Sequence, residues 1–298
     1  MPLEINNKDK FCIAVCMESH LHTFLIAGTI QQSKFIPLVD VGKHIPIPER
    51  GQRTTCNIFL RMLTGYLHSA ISNEKLLVDN TNEKEREVSY IAFDISYDDY
   101  LRFLQYLKFI NPDIKAYIPT NESKSSGDIL LEYQPLTTMQ SDEKIQNTNL
   151  KDIYDRKDYL SFVNSCRSAA IELLKLVLPK EIAVTSIVPI NFMYGFPFLT
   201  SFKSGELSSH LLFTLPAPPP KDSPVLTNAY NQLQACLFTS QWNESTRKNF
   251  IALKDFYDDL LIKRTNPKPE SQFIQLSHSE EDEDIESSQV TQRLNRQR

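Results

Sequence analysis

The stretch Asn164–Leu174, which reads Asn-Ser-Cys-Arg-Ser-Ala-Ala-Ile-Glu-Leu-Leu, decides how this chain is interpreted. Apolar residues recur along it at steps of three and four and continue to Leu178, a pattern that predicts an amphipathic helix. Cys166 lies at the start of this helix, and Asn164 or Ser165 can cap it. The unpaired N–H groups and the dipole of a first helical turn favour a thiolate, so the pattern indicates a reactive cysteine.

A nucleophilic cysteine needs a base, and the sequence offers two histidines for that role. His20 and His22 lie two residues apart in a predicted strand, so their side chains share one face. We expect His22 to be the base, with His20 as the alternative. The competing interpretation is structural, because a cysteine on an apolar helical face is usually a small buried side chain and a strand histidine is often a packed one.

A carboxylate could orient the histidine from a neighbouring strand. Three apolar runs predict buried strands, at Phe11–Met17, Leu21–Gly28 and Phe35–Val41. The polar break Ile30–Lys34 predicts a hairpin turn centred near Gln32, which sets His22 roughly opposite residues 41–43. Asp40 would then lie close enough to act as the third member of a triad, although a charge at a strand end is an equally good interpretation.

The rest of the chain predicts further strands, helices and two boundaries. Strands are expected at Val88–Ile95 and Ile129–Tyr133, and helices at Thr54–Ala70, Tyr97–Ile110, Leu226–Leu237 and Ser245–Leu261. Residues 1–180 are predicted to form the core, residues 181–265 a helical or irregular extension packed on it, and residues 266–298 a disordered acidic tail.

The order of these motifs resembles the circularly permuted papain-fold hydrolases. The strand with His-Thr-Phe-Leu-Ile comes first, then the strand and helix of Val88–Leu104, then Tyr159, and the Asn-Ser-Cys element with its helix comes last. Permuted NlpC-type amidases and lecithin:retinol acyltransferase-like proteins share this order, which reverses that of papain. The resemblance covers about residues 11–178 and implies an α+β fold with a papain-like core.

The resemblance also implies roles for individual residues. Cys166 matches the nucleophile, His22 the general base, and Asp40 the region of the polar third residue. The Cys166 backbone N–H would form the oxyanion hole, with Tyr159 as a second donor or an orienting group. One departure from the family's frequent Asn-Cys pair is that Ser165 stands between Asn164 and Cys166.

Composition excludes several other functions. The 298 residues are 41% hydrophobic and 23% charged, with a net charge of -5 and no dense basic run, so we expect no nucleic-acid partner. The longest apolar runs are too short for a membrane-spanning helix. Five cysteines at irregular spacing predict a reducing compartment, and no zinc-type spacing accompanies them, so neither metal nor cofactor is expected.

The acidic run Glu280–Glu286 resembles the glutamate-rich secretion signals of Legionella effectors that a type IV system delivers. An ordinary solvated acidic tail has the same composition. With the cysteine-hydrolase pattern, the resemblance implies a virulence effector that reaches the host cytosol without a cleaved signal and cuts an amide, isopeptide or ester bond of a host protein or of an acylated or peptide substrate. The alternatives are a non-catalytic module that binds a host protein, or an acyltransferase that uses the same site.

Overall fold

The chain has an α+β fold, as the sequence predicted, built from antiparallel sheets and separate helices. The computed structural model describes residues 2–18, 22–45, 67–74, 87–120, 128–139, 148–161, 163–182, 184–188, 201–203, 207, 212–220, 222–237 and 243–265. The strands are β1 (Leu3–Asn6), β2 (Lys10–Glu18), β3 (Thr23–Gln31), β4 (Lys34–His44), β5 (Leu67–His68), β6 (Ala70–Asn73), β7 (Glu87–Ile95), β8 (Lys115–Pro119), β9 (Asp128–Pro135), β10 (Tyr159–Leu160), β11 (Ser201–Lys203) and β12 (Thr214–Leu215). The helices are α1 (Tyr97–Ile110), α2 (Thr148–Asp155), α3 (Cys166–Val177), α4 (Val184–Ile187), α5 (Pro224–Leu237) and α6 (Glu244–Thr265), and Leu136–Thr138 form a 3-10 turn.

The main sheet has the strand order β11-β7-β2-β3-β4-β6, and β12 pairs with β7. Neighbours along this order are antiparallel, whereas β12 runs parallel to β7. A second sheet has the order β1-β9-β8, and β10 pairs with β5. This order places β2 and β3 in the middle of the main sheet, so each has a strand on both sides.

Both faces of the central strands are buried, which explains why β2 and β3 are almost continuously apolar rather than alternating. On one face, Cys12 and Cys16 belong to a buried cluster that includes Phe202. On the other face, the Phe11 ring lies 5.7 Å from that of Tyr100 on α1. Helix α3 packs against β3 and β4, which brings its N-terminus to the sheet.

The hairpin between β3 and β4 turns at Gln32 and Ser33, as the sequence predicted. Both have positive φ, 49° and 60°, the conformation that two-residue hairpin turns of type I′ require. A register shift between Ala27 and Gly28 then inserts an extra residue into β4. Phe24 therefore pairs with Gly42, and the same register carried on sets His22 opposite His44, one residue beyond the range predicted from the turn alone.

Most of the predicted strands and helices are confirmed, and one predicted helix is wrong at its C-terminal end. Helix α1 begins after Ser96, whose hydroxyl accepts a hydrogen bond from the Asp99 N–H at 3.0 Å. Of the predicted helix Thr54–Ala70, residues 54–66 lie outside the described residues, and its last residues belong instead to β5 and β6. Pairing of these strands with β10 and β4 overrides the helical apolar spacing.

The chain divides into two units, Met1–Asp258 and Asp259–Arg298. Within the first unit, the predicted extension supplies strands β11 and β12 to the main sheet as well as helices. The described part of the second unit is the end of α6, and the predicted tail, residues 266–298, lies outside the described residues. Among the described helices, none combines the length and the hydropathy that crossing a bilayer would need.

Candidate active site

Cys166 is the first residue of α3, and its thiol is only partly exposed. Ser165 is the N-cap, and its hydroxyl accepts a hydrogen bond from the Ser168 N–H at 3.2 Å. The backbone N–H groups of Thr23 and Arg167 donate to the Cys166 sulfur. Burial raises the pKa of this thiol, but the hydrogen bond and charge of His22 and these two N–H groups outweigh it, and the pKa ends below its ordinary value.

His22 lies directly before β3 and contacts both the thiol and a carboxylate. Its carbonyl accepts a hydrogen bond from the Glu18 N–H at 3.0 Å, which extends the β2–β3 pairing to this residue. Its ring stacks on Phe24 at a centroid distance of 5.8 Å. Burial lowers the pKa of His22, but hydrogen bonds with Cys166 and Glu74, together with their negative charges, raise it to about 10.

Glu74 supplies the carboxylate, and its Oε1 accepts a hydrogen bond from His22 Nε2 at 2.7 Å. Since Nε2 is taken by Glu74, Nδ1 is the ring nitrogen left for the Cys166 sulfur. Burial raises the pKa of Glu74, but its contacts with His22 and His44 dominate and lower the pKa to about 2. The charged form of the acid is thus the form that the folded chain stabilises.

Gly42 is the reason that Glu74 can reach His22. Glu74 follows β6, whereas His22 precedes β3, and β4 runs between these two strands. A Cβ atom on residue 42 would lie 1.9 Å from Glu74 Oε1, so the carboxylate crosses β4 through the space that the glycine leaves. An interior strand glycine often marks such a close approach.

Asp40, the predicted third member, does not take this position. It lies opposite Ile26 in the ladder, four residues along β3 from His22, or about 13 Å at the usual strand rise. Its carboxylate accepts a hydrogen bond from Asn73 Nδ2 at 3.2 Å, and its carbonyl accepts one from the Glu74 N–H at 3.3 Å. The residue that contacts the histidine, Glu74, therefore directly follows β6, the strand on the far side of β4 from β3.

Glu74 was not predicted as a site residue, because the sequence pattern places Leu67–Ala70 at the end of a helix. The available signal was the combination of Gly42 inside an otherwise bulky strand and the short run Ala70–Asn73 before an acidic residue. Neither feature shows by itself that β6 pairs with β4, and that pairing is what brings Glu74 near His22.

A second histidine stands beside the same carboxylate. His44 Nδ1 lies 3.6 Å from Glu74 Oε1, just beyond hydrogen-bonding distance, and within the described part of the chain it has no hydrogen-bond partner. His44 Nε2 is 2.9 Å from Ser72 Oγ. If the Ser72 hydroxyl donates to Nε2, the ring proton is on Nδ1 and faces the carboxylate.

The two predicted site residues that remain are His20 and Tyr159. His20 lies outside the described residues. Tyr159 is on β10, where its carbonyl accepts a hydrogen bond from Asn164 Nδ2 at 2.7 Å and its ring lies 5.7 Å from Lys43 Nζ. These contacts place Tyr159 beside the loop that leads to Cys166.

The described residues include no group of three or more histidine, cysteine, aspartate or glutamate side chains arranged to hold a metal ion. The arrangement that they do form is a row of contacts from the Cys166 sulfur through the His22 ring to the Glu74 carboxylate. Chemically, such a row supplies a thiolate beside a protonated imidazole, with a carboxylate that fixes the orientation of the ring.

Compared with protein families, with curated proteins and with solved structures, the chain matches none of them.

Proposed function

We propose that this chain is a cysteine hydrolase in which Cys166 is the nucleophile, His22 the general base and acid, and Glu74 the residue that orients His22. The observation that carries the proposal is the joint contact of His22 with the Cys166 thiol and the Glu74 carboxylate. Among the described residues, Cys12 and Cys16 have no such partners: burial, with smaller contributions from the carboxylates of Asp94 and Glu18, raises their pKa well above the ordinary value.

The order and placement of the elements support a papain-like core with permuted order. The histidine precedes a strand of an antiparallel sheet, and the cysteine begins a helix that comes later in the chain and packs against that sheet. Under this proposal, Glu74 takes the role that the resemblance assigned to the region of Asp40.

The reaction begins with the thiolate attacking the carbonyl carbon of an amide, isopeptide or ester. The electron pair of the carbonyl double bond moves to its oxygen, and the resulting oxyanion accepts a hydrogen bond from the Cys166 N–H. This N–H is in the first turn of α3, where a helix leaves its N–H groups without intrahelical acceptors.

Loss of the thiolate charge then makes His22 a stronger acid. The high pKa of His22 depends in part on the negative sulfur, so forming the carbon–sulfur bond lowers that pKa. His22 gives its proton to the leaving amine or alcohol as the carbon–heteroatom bond breaks. Neutral His22 next removes a proton from water, the hydroxide attacks the thioester, and the thiolate leaves.

We further propose that the chain acts as an effector in host cytosol. This proposal rests on the resemblance of Glu280–Glu286 to type IV secretion signals of Legionella effectors and on a nucleophile that requires a reduced thiol. The substrate would be a host protein or an acylated or peptide compound.

Selective alkylation tests the nucleophile. At pH 6.5, iodoacetamide should label Cys166 at least about tenfold faster than the other cysteines, because only thiolate reacts. The matched control is Cys236 on α5, which is also partly exposed but whose pKa is raised by burial. Cys166→Ala should remove the fast label and Cys236→Ser should keep it, whereas uniformly slow labelling of the wild type would contradict the proposal.

The reaction class follows from comparing cells that express wild type, Cys166→Ala or Cys236→Ser. New protein termini that depend on Cys166 indicate a protease, and lost acyl groups indicate an esterase or amidase. Acyl groups gained in a Cys166-dependent manner indicate the acyltransferase instead. If the three proteomes are identical and the same host protein is bound in all three samples, the chain is a non-catalytic binding module rather than an enzyme.

A further inference from the structure

Lys43 is a buried lysine beside the proposed nucleophile, and the steps above give it no role. Its side chain projects from β4, and the residue is only 2% exposed. Its Nζ donates hydrogen bonds to the Arg156 carbonyl at 2.7 Å and to Asn164 Oδ1 at 2.8 Å. Burying an ammonium group is unfavourable unless it is paired, so these contacts need an explanation.

Asn164 connects Lys43 to the nucleophile. It lies two residues before Cys166, and its Nδ2 donates to the carbonyls of Arg156 and Tyr159 at 2.8 and 2.7 Å. One side chain therefore joins both ends of the loop 156–164, and Lys43 ties that side chain to the sheet. This link joins β4 to the residue two positions before Cys166.

Four charged or titratable groups act on Lys43. Arg156 opposes its positive charge, whereas Glu172, Asp158 and the Cys166 thiolate favour it. Arg156 is itself paired with Glu172, Nη2 to Oε2 at 3.1 Å. Burial is the largest influence and lowers the pKa of Lys43 to about 7, so the ammonium loses its proton as the pH rises through neutrality. The attraction between Lys43 and the thiolate is mutual, because each stabilises the charged form of the other.

We propose that Lys43 is a positioning residue for Cys166: it ties the loop 156–164 to β4 and places a positive charge in the buried surroundings of the thiolate. The inference rests on the proposed function, because it assigns the lysine to the same nucleophile. It differs from a purely structural role in one respect, since a charge changes the protonation of the thiol and a packing contact does not.

The test is the pH dependence of Cys166 alkylation in the full-length chain. Iodoacetamide rates are measured from pH 3 to 10, and the midpoint of each curve reports the thiol–thiolate equilibrium. Lys43→Met removes the charge and keeps much of the side-chain volume. We expect its midpoint to rise by about half a unit, which is roughly a threefold loss of rate below the wild-type midpoint and little loss at pH 10.

The matched control is Lys254→Met. Lys254 is another largely buried lysine, paired with Asp94, so its removal changes the net charge and loses a lysine pair in the same way but elsewhere. Its midpoint should equal that of the wild type. If Lys43→Met does not fold, Lys43→Gln replaces it, because the amide keeps N–H donors and lacks the charge.

The outcomes separate this inference from the proposed function. A wild-type midpoint at or above that of a free cysteine would contradict the proposed nucleophile, whatever the variants do. A low wild-type midpoint that Lys43→Met or Lys43→Gln leaves unchanged, with rates reduced equally at every pH, would overturn the charge assigned to Lys43. A midpoint that rises equally in Lys254→Met would also overturn it, because the effect would then follow net charge.

Discussion

A strand of the main sheet and the helix that packs against it hold cysteines in opposite states. In the interior of β2, Cys12 and Cys16 are fully buried, and burial raises their pKa well above the ordinary value. At the start of α3, Cys166 is also largely surrounded by protein, yet its pKa is lowered. The difference lies in the partners of Cys166, which are a histidine, two backbone N–H groups and, beyond the histidine, a carboxylate.

Burial alone therefore does not make a cysteine inert. A low-dielectric environment penalises an isolated thiolate and strengthens its attraction to a nearby cation. Which effect is larger depends on whether the fold places a cation next to the thiolate. Removing the groups that support His22 should therefore make Cys166 behave more like Cys12 and Cys16.

Among the variants considered, Glu74→Gln should raise the pKa of Cys166 and lower turnover the most. The amide keeps the shape but loses the charge that stabilises protonated His22, so the Cys166 midpoint should rise toward the values of Cys12 and Cys16. Turnover should fall by up to about 10⁴-fold, by analogy with loss of the carboxylate in a catalytic triad. The measurement is the pH profile of alkylation together with kcat/KM on a substrate from the proteome comparison.

Asp40→Asn is the control for that change. Asp40 is fully buried and bonded to Asn73, so the variant should unfold at a lower temperature. Its alkylation midpoint should stay at the wild-type value. If the midpoint shifts in Asp40→Asn and not in Glu74→Gln, then Asp40 rather than Glu74 is the residue that orients His22.

Gly42→Ala should have an intermediate effect. Its Cβ would lie 1.9 Å from Glu74 Oε1, so the carboxylate must move away from His22. We expect about a tenfold loss of turnover and a higher Cys166 midpoint, because a displaced acid holds the ring less well. Turnover and midpoint that both stay at wild-type values would show that the space over Gly42 is not needed.

Gly28→Ala is the matched glycine variant. There the added Cβ would lie 2.2 Å from the Ile36 carbonyl oxygen, a backbone atom distant from the site. This variant should lose stability in denaturant unfolding while its folded fraction keeps the wild-type alkylation midpoint.

The smallest expected effect is on the pH dependence of stability. The pKa of His22 is raised in the folded chain from 6.5 to about 10, so its contribution to stability is complete below pH 6.5 and is lost as the pH rises toward 10. The pKa of Cys166 is lowered from 9.0, so its contribution is complete above pH 9 and is lost as the pH falls. Where the two pH ranges overlap, below pH 9, the two slopes have opposite signs.

Cys166→Ala removes the contribution of the thiol to the pH dependence of stability and leaves that of His22. Relative to wild type, the variant should lose stability as the pH rises from 6.5 to 9, by at most about 1.4 kcal/mol per pH unit, the value for one proton. Urea unfolding at both pH values measures this. Cys12→Ala should show no such difference, because the raised pKa of Cys12 affects linkage only above pH 9. Equal slopes for all three proteins would contradict the thiolate–imidazolium pair.

Parts of the fold and of the site were predictable because they depend on neighbouring residues. The start of α3 at Cys166, the start of α1 after Ser96 and the turn at Gln32 each follow from side chains within about four positions of one another. The register of His22 was predicted within one residue, and the error came from a bulge that no turn residue encodes.

The parts that escaped prediction involve three strands at once. Asp40 was a reasonable choice from the hairpin alone, because β4 is next to β3 in both sequence and space. Glu74 became the contact of His22 only because β6 adds to the far side of β4 and Gly42 leaves room for a side chain to cross.

The amino-acid sequence by itself therefore determined that a cysteine begins an amphipathic helix and that a histidine begins a buried strand, because periodicity and capping act over short distances. Only the tertiary structure decided that the thiol meets His22 rather than the apolar core, that Glu74 supports that histidine, and that Lys43 lies beside the nucleophile loop. The physical reason is that electrostatic partners and desolvation act through space, so the state of Cys166 depends on groups up to 144 positions away in the chain.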